Sequence, residues 1–263
     1  MPSQGWVYAA QIGWAVFLLA CTGVKLAQFS VSEFIVHFTN WSWVYQALFY
    51  SLSLLVASRG CYRVGVCCIA WLFLPLFAII WAVAIGVQIL LVYDDDFLES
   101  LLTEYDMGLI TVGNDVYHMY PVIAGICYLF LNFPTIYYSL AWCYGYNSTS
   151  AWRVVVTLYQ LFGGAVFVYG LYLIVLAGLG TSIGEVYQTD IAWYTALLAL
   201  IGVSLLVNGI ILSCMCCSCA LGSSPRLAQY AERRQKQTDF ELLLEPEQDA
   251  APRPEPSSAR LRY

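Results

Sequence analysis

Charged side chains are scarce in this sequence. They make up 11% of the 263 residues, while apolar side chains make up 60% and aromatic ones 16%. A soluble globular domain carries about twice that share of charge, so the composition excludes the soluble class. The eleven basic residues form no dense patch, and no nucleic-acid partner is expected.

Long apolar runs make up most of the sequence between the few charged residues. Runs of eighteen or more residues recur along the chain, and each can cross about 30 Å of hydrocarbon as a helix. We therefore predict an all-α fold, a six-transmembrane helical bundle that occupies residues 1–213. The predicted spans cover about 6–28, 40–58, 61–93, 117–144, 152–179 and 191–212.

The few basic residues predict the orientation of the bundle. If the N-terminus is cytoplasmic, ten of the eleven lie on the inner side, and Lys25 alone lies near the outer face. Acidic residues then collect in the outer loops, above all in Asp94–Asp96. Since basic residues favour the cytoplasmic side, both termini are predicted to be cytoplasmic. The membrane is predicted to be that of the endomembrane system or the plasma membrane.

Residues 214–263 are predicted to form a disordered cytoplasmic tail, because they are polar and rich in Pro, Glu and Ser. The tail opens with a cysteine cluster where the last span meets the cytoplasm, a position typical of S-palmitoylation. The alternative is a cluster of reduced thiols. The candidate sites are Cys214, Cys216, Cys217 and Cys219.

Further along the tail, "DFELLLEP" places Asp239 four residues before Leu243 and Leu244. This spacing resembles acidic dileucine signals, which predicts contact with a sorting adaptor. A short helical turn with chance leucines explains the pattern equally well. The residue pattern predicts neither a metal site nor a cofactor.

Only two histidines occur, and each lies among polar residues at the outer end of a predicted span. Because buried polar groups in a membrane are costly, such groups are candidates for function. A threonine hydroxyl beside an imidazole can act as a nucleophile with its general base, and Asp115 lies three residues before His118, where it can orient the ring. Ordinary interfacial anchoring is the alternative, with Trp41 and Trp43 in the aromatic belt. The candidate site residues are His37, Thr39, Asn40, Asn114, Asp115 and His118.

Three motifs resemble the androgen-induced and androgen-dependent family of membrane hydrolases. The stretch Phe38-Thr39-Asn40, followed by Gln46 and Phe49, resembles the segment that carries the threonine of that family. Asn114-Asp-Val-Tyr-His118 has the spacing of its Asn-x-x-x-His motif, and Tyr93-Asp94-Asp95-Asp96 is similar to its Tyr-Asp-Arg-Glu. The resemblance covers about residues 6–212.

The resemblance implies hydrolysis of fatty acid esters of hydroxy fatty acids, a membrane lipid substrate, with Thr39 as nucleophile and His118 as base. This chain departs from the family where Asn40-Trp41 follows the threonine, where Asp115 replaces a histidine, and where the fifth span lacks a histidine pair. Thr-Asn-Trp is more similar to the rolling stone branch. That branch implies the alternative function, a non-catalytic multispan protein that organises membrane partners.

The segment before His118, "LESLLTEYDMGLI", is amphipathic. We expect it to lie on the interface as a cap over the Thr39–His118 site, with its acids in water and Asp94 close to the outer end of the fourth span. The apolar residues of the cap are Leu98, Leu101, Leu102, Met107 and Leu109.

Overall fold

The computed structural model describes residues 4–28, 30–57, 62–104, 107–145 and 149–220. All regular elements in these ranges are helical, which confirms the all-α prediction. The tail beyond residue 220, with Asp239, Leu243 and Leu244, lies outside the described residues. In chain order the helices are α1 (Gln4–Gln28), α2 (Val31–Val36), α3 (Phe38–Ser53), α4 (Tyr62–Tyr93), α5 (Asp95–Glu104), α6 (Met107–Asn114), α7 (Tyr120–Gly145), α8 (Ser150–Leu158), α9 (Gly164–Gly178), α10 (Ile183–Tyr187) and α11 (Trp193–Ala220).

Five helical stretches within the described residues are long and apolar enough to cross a membrane. Large apolar side chains on them point outward: Phe130 is 76% exposed, Ile174 68% and Leu206 65%. Water disfavours such a surface, whereas lipid tails accommodate it. The structure is thus compatible with an integral membrane protein. The stretches are Tyr8–Ala27, Arg63–Tyr93, Ile110–Gly145, Ser150–Gly178 and Trp193–Cys217.

The predicted second span, residues 40–58, is not among the five stretches. It corresponds to α3 and the 3₁₀ turn Leu54–Ala57 that follows it. Together these elements are about 30 Å long at 1.5 Å per residue. The α3 helix alone has 16 residues, fewer than the eighteen that the apolar stretches contain at least, and it carries polar side chains that are buried inside the bundle. The buried polar residues are Asn40, Ser42, Gln46 and Ser53.

Two π-helical turns interrupt the later spans. Asp115–Met119 joins α6 to α7, and Tyr159–Gly163 joins α8 to α9. Each turn is closed by an i→i+5 bond, as from the Tyr120 N–H to the Asp115 carbonyl. Because the first turn continues the helix instead of starting it, the third apolar stretch, which corresponds to the predicted fourth span, begins at Ile110 within α6, before the predicted start at residue 117. Insertions of this kind are often found at functional sites.

Two other expectations about position are wrong. Trp43 does not belong to an interfacial belt, since it is 1% exposed and its indole N–H donates to the Tyr117 carbonyl. The last helix does not end near residue 212 but continues to Ala220. Cys214, Cys216 and Cys217 are therefore exposed on its final turns, and the side chain of Cys219 lies outside the described residues.

The core is centred on α4, whose Pro75 packs against Gly164 at the start of α9. A methyl group on Gly164 would lie 2.8 Å from Pro75 Cβ and closer still to Cγ. Both partners are held in helices, so neither can move aside cheaply. This contact makes the glycine a packing requirement of the α4–α9 interface.

Gly164→Ala is expected to lower the free energy of unfolding by about 1–3 kcal/mol because it overpacks this interface. Gly170→Ala on the same helix is the control, since no atom lies within 4 Å of its added methyl group. Thermal unfolding of the purified protein in detergent measures both variants. Equal midpoints for the two variants would contradict the packing argument.

Candidate functional site

A polar cavity of about 230 Å³ opens at the start of α3. It brings together Thr39 and His118, which lie 79 positions apart in the sequence. Of the other predicted site residues, His37 and Asn40 also line it, whereas Asn114 and Asp115 do not. The full lining is Lys25, Glu33, His37, Thr39, Asn40, Tyr117 and His118.

The position of Thr39 follows from a break between two helices. Ser30 and Glu33 form a reciprocal capping box that starts α2. The chain then leaves the helical conformation at His37, which has φ −95° and ψ 118°, and re-enters it at Phe38. Thr39 therefore lies in the first turn of α3, where backbone N–H groups have no partner within the helix.

The hydroxyl of Tyr187 meets this helix start. Its oxygen accepts a hydrogen bond from the Phe38 N–H at 2.8 Å and interacts with the backbone and the hydroxyl of Thr39. Burial raises the pKa of Tyr187, while hydrogen bonds with Phe38, Tyr172 and Thr39 oppose that rise. The phenol is therefore neutral at pH 7.

Tyr187 is held in place by a short helix with well-formed ends. Ser182 and Glu185 build a second capping box at the start of α10. Gln188, directly after Tyr187, adopts the left-handed conformation with φ 50°, which is uncommon for a residue other than glycine. Tyr187 is the last residue of this helix, and its hydroxyl reaches the Phe38 N–H at the start of α3.

Tyr187→Phe is expected to lower the free energy of unfolding by about 1–3 kcal/mol, because it leaves the Phe38 N–H without its acceptor. Tyr194→Phe is the matched control, since Tyr194 is 56% exposed on α11. Denaturation of both variants in detergent gives the comparison. A Tyr187→Phe protein as stable as the control would exclude this anchoring role.

His118 lies in the π turn between α6 and α7. Its Nδ1 atom is buried and has no hydrogen-bond partner. The expectation that Asp115 orients the ring is wrong: Asp115 is exposed, and no hydrogen bond joins it to His118 in the described part of the chain. In a π turn, residues three apart no longer face the same side, so the helical spacing argument fails there.

Thr39 and His118 share the cavity without a hydrogen bond between them in the described structure. A proton transfer from the hydroxyl to the imidazole therefore requires the two groups to approach when a substrate binds. Catalytic hydrogen bonds commonly tighten in this way in the substrate complex.

Asn40 is committed to two structural hydrogen bonds. Its Nδ2 donates to the Phe34 carbonyl at 2.7 Å, and its Oδ1 accepts from Lys25 Nζ at 3.0 Å. The Lys25 ammonium also lies 4.0 Å from the ring centre of Tyr117. Asn40 thus fixes the ammonium group one residue from Thr39, and it keeps a second amide N–H besides the one that Phe34 accepts.

His37 forms part of the rim. Its ring meets Tyr187 edge-on at 5.8 Å between centroids, while much of the side chain stays exposed. Partial burial lowers the pKa of His37, and the positive charge of Lys25 lowers it further. The ring is therefore mostly neutral at pH 7.

A second, apolar groove of about 280 Å³ lies on the other side of Thr39. It runs between α4, α9 and α11, with α10 at one end. Thr39 is the one residue that lines both this groove and the polar cavity, among the described residues. Small side chains leave the groove open, among them Ala82, Gly86, Ala196 and Ala199.

The expected amphipathic cap is wrong. None of the described residues between 98 and 109 lines the polar cavity, and α6 continues through the π turn into α7 instead of lying over the site. Asp94 is held elsewhere, since its Oδ2 accepts a hydrogen bond from the Thr189 hydroxyl at 2.6 Å. The acidic loop is thereby joined to the segment between α10 and α11.

Sequence reasoning missed four residues of the cavity wall and its surroundings. Lys25 carried a usable signal, because it is the one basic residue predicted on the outer side. Tyr117, Tyr187 and Glu33 carried none, since aromatic residues and acids at span ends are common. Among the described residues, no three metal-ligating side chains gather at one place.

Comparisons of the chain with protein-family models, with curated proteins and with solved structures find no match.

Proposed function

We propose that this protein is an integral membrane hydrolase of lipid esters, of the class of fatty acid esters of hydroxy fatty acids. The observation that carries the proposal is the position of Thr39 between a polar cavity and an apolar groove. A lipid ester likewise has a polar part and an apolar part, namely a carbonyl group and the acyl chain attached to it. If the acyl chain of the ester lies in the groove, its carbonyl carbon lies beside the Thr39 hydroxyl.

In the proposed reaction, His118 takes the Thr39 proton while the hydroxyl oxygen attacks the ester carbonyl carbon. The C–O bond to the alcohol then breaks, and the alcohol leaves with the proton returned by His118. Thr39 is left as an acyl ester. Water, deprotonated by His118, attacks that ester and releases the fatty acid and the free threonine.

The oxyanion of each tetrahedral intermediate needs a donor. Asn40 uses one of its two amide N–H groups for the Phe34 carbonyl, and Asn114 does not line the cavity. Tyr187 is the donor we propose, since its neutral hydroxyl lies beside the Thr39 hydroxyl. The ring of His37 packs edge-on against the Tyr187 ring and so helps to hold it in place.

The proposed topology has six spans, with α3 and its 3₁₀ turn as the second and both termini cytoplasmic. The burial of the polar side chains of α3 inside the bundle supports it as a span, because polar groups within a membrane face the protein interior. In this orientation the exposed Cys214, Cys216 and Cys217 lie at the cytoplasmic surface as palmitoylation sites. Residence in the endomembrane system or the plasma membrane, and adaptor contact through the tail, belong to the same proposal.

A fluorophosphonate probe tests the proposal on the purified protein in detergent. The wild type is expected to be labelled covalently, and Thr39→Ala is expected to lose the label. Thr195→Ala is the matched control, because Thr195 lines the apolar groove but not the polar cavity. An unlabelled wild type, or equal labelling of Thr39→Ala, would favour the non-catalytic function instead.

A further inference from the structure

The ammonium group of Lys25 is the unexplained charge of the polar cavity. Lys25 lies in the last turn of α1, and its described partners are Asn40 Oδ1 at 3.0 Å and the rings of Tyr117 at 4.0 Å and Trp43 at 5.8 Å. None of these partners carries a negative charge. A half-buried ammonium group is costly unless it is paired or binds something.

One acid, Glu33, also lines this cavity. Glu33 is exposed, and its Oε2 accepts the Ser30 N–H at 2.7 Å as part of the capping box of α2. That hydrogen bond and the one from the Ser30 side chain hold the pKa of Glu33 below its usual value. Glu33 is not among the described partners of Lys25, so no ion pair with this acid occupies the ammonium group.

The surroundings of Lys25 fix its position relative to Thr39. Asn40, which follows Thr39 in the chain, is anchored to the Phe34 carbonyl at 2.7 Å and holds the ammonium group through Oδ1. His118 Nδ1 is buried without a partner on the same cavity. The cavity therefore holds one fixed cation beside Thr39, with the exposed carboxylate of Glu33 as its one acid among the described lining residues.

We propose that Lys25 binds an anionic oxygen group, a carboxylate or a phosphate, on the polar part of a lipid whose acyl chain lies in the groove. The ligand is then an amphiphile with its negative charge on the Lys25 side of Thr39. This inference rests on the proposed function and deepens it by naming the residue that binds the charged group of the substrate. A charge-assisted hydrogen bond supplies the discrimination against uncharged lipids.

Equilibrium binding to the full-length protein in a nonionic detergent tests the inference. Because the proposed hydrolase converts methyl palmitate to palmitate, a value for the ester is taken only where the label is recovered as unhydrolysed ester, and Thr39→Ala is measured beside the wild type. The probes are palmitate, methyl palmitate and hexadecyl phosphate, each radiolabelled. Wild type is expected to bind the better of the two anions at least about tenfold more tightly than the methyl ester. The comparison of palmitate with hexadecyl phosphate identifies which anion the site takes.

Lys25→Met is expected to bring the affinity for anion and methyl ester to within about twofold, while Lys25→Arg keeps the preference. Arg153→Met is the matched control, since Arg153 is exposed and does not line the cavity. Equal wild-type affinity for the methyl ester and both anions would overturn the inference, as would an undiminished preference in Lys25→Met.

Thr39→Ala separates this inference from the proposed hydrolysis. The variant is expected to keep the preference for the anion, because Thr39 carries no charge. If the wild type shows no fluorophosphonate labelling but binds the anion preferentially, the hydrolase proposal fails and the anionic subsite stands. If labelling occurs without any charge preference, the subsite fails and the hydrolase stands.

Discussion

His118→Ala is expected to lower the rate of ester hydrolysis by about 10²–10⁴-fold, the usual contribution of a positioned general base. The imidazole lies on the same cavity as Thr39, and its buried Nδ1 has no partner that would hold it away. His37→Ala is the matched control, because His37 lines the same cavity at its exposed rim. It is expected to change the rate by less than about tenfold, since it supplies no proton transfer.

A variant that lacks both Thr39 and His118 tests whether the two residues act together. Residues that act as a unit are strongly non-additive, so the Thr39→Ala, His118→Ala protein is expected to be no slower than Thr39→Ala alone. Hydrolysis of a fluorogenic long-chain ester by the purified proteins measures all three. Independent, multiplying effects would show that His118 does not act through Thr39.

Gly86→Phe is expected to lower the hydrolysis of long-chain esters by about a hundredfold while leaving short-chain esters unchanged. Gly86 lines the apolar groove, and no atom lies within 4 Å of a Cβ built on it, so a large side chain enters the groove without displacing the backbone. Each methylene kept out of an apolar site costs about 0.8 kcal/mol, and excluding about four of them accounts for the loss.

Gly202→Phe on α11 is the control for this change. Gly202 also has open space around it but does not line the groove. Rates measured with acetyl, octanoyl and palmitoyl esters of one alcohol give the chain-length dependence. A loss that is uniform across the three esters would assign the effect of Gly86→Phe to general disturbance of α4.

The sequence was sufficient to predict the helical class, because long apolar runs have few other solutions in a membrane. It also placed Thr39 and His118 at one depth, and both residues line the polar cavity. α3 is the instructive case, because this helix has 16 residues and carries the buried polar side chains of Asn40 and Gln46, and only the packed bundle shows what those side chains face.

The failures in the site have local physical causes. The Asp115–His118 pair was inferred from α-helical spacing, and the π turn at Asp115–Met119 removes that spacing. Hydrophobic patterns do not reveal a π turn, because one added residue leaves the apolar run intact. Tyr187 was missed for a different reason, since it contacts Phe38 across 149 positions of sequence and through the end of a five-residue helix.

The position of Lys25 in the sequence indicated a site, but it was used only to predict the orientation of the bundle. A single basic residue on the side opposite to all others weakens the positive-inside pattern, and such a residue needs a reason to be there. The structure places it against Asn40 and Tyr117 on the cavity that Thr39 lines. An isolated charge at the end of a span therefore indicates a candidate site in the same way as a histidine does.

Thr39 is the nucleophile of the proposed reaction, and the position of a covalent adduct shows whether it has this role. After reaction with a fluorophosphonate, the protein is digested and the modified residue is identified by tandem mass spectrometry. We expect one stoichiometric adduct on the Thr39 hydroxyl, blocked by prior incubation with a long-chain ester. An adduct on any other residue, or an unmodified Thr39 peptide at full probe concentration, would contradict it.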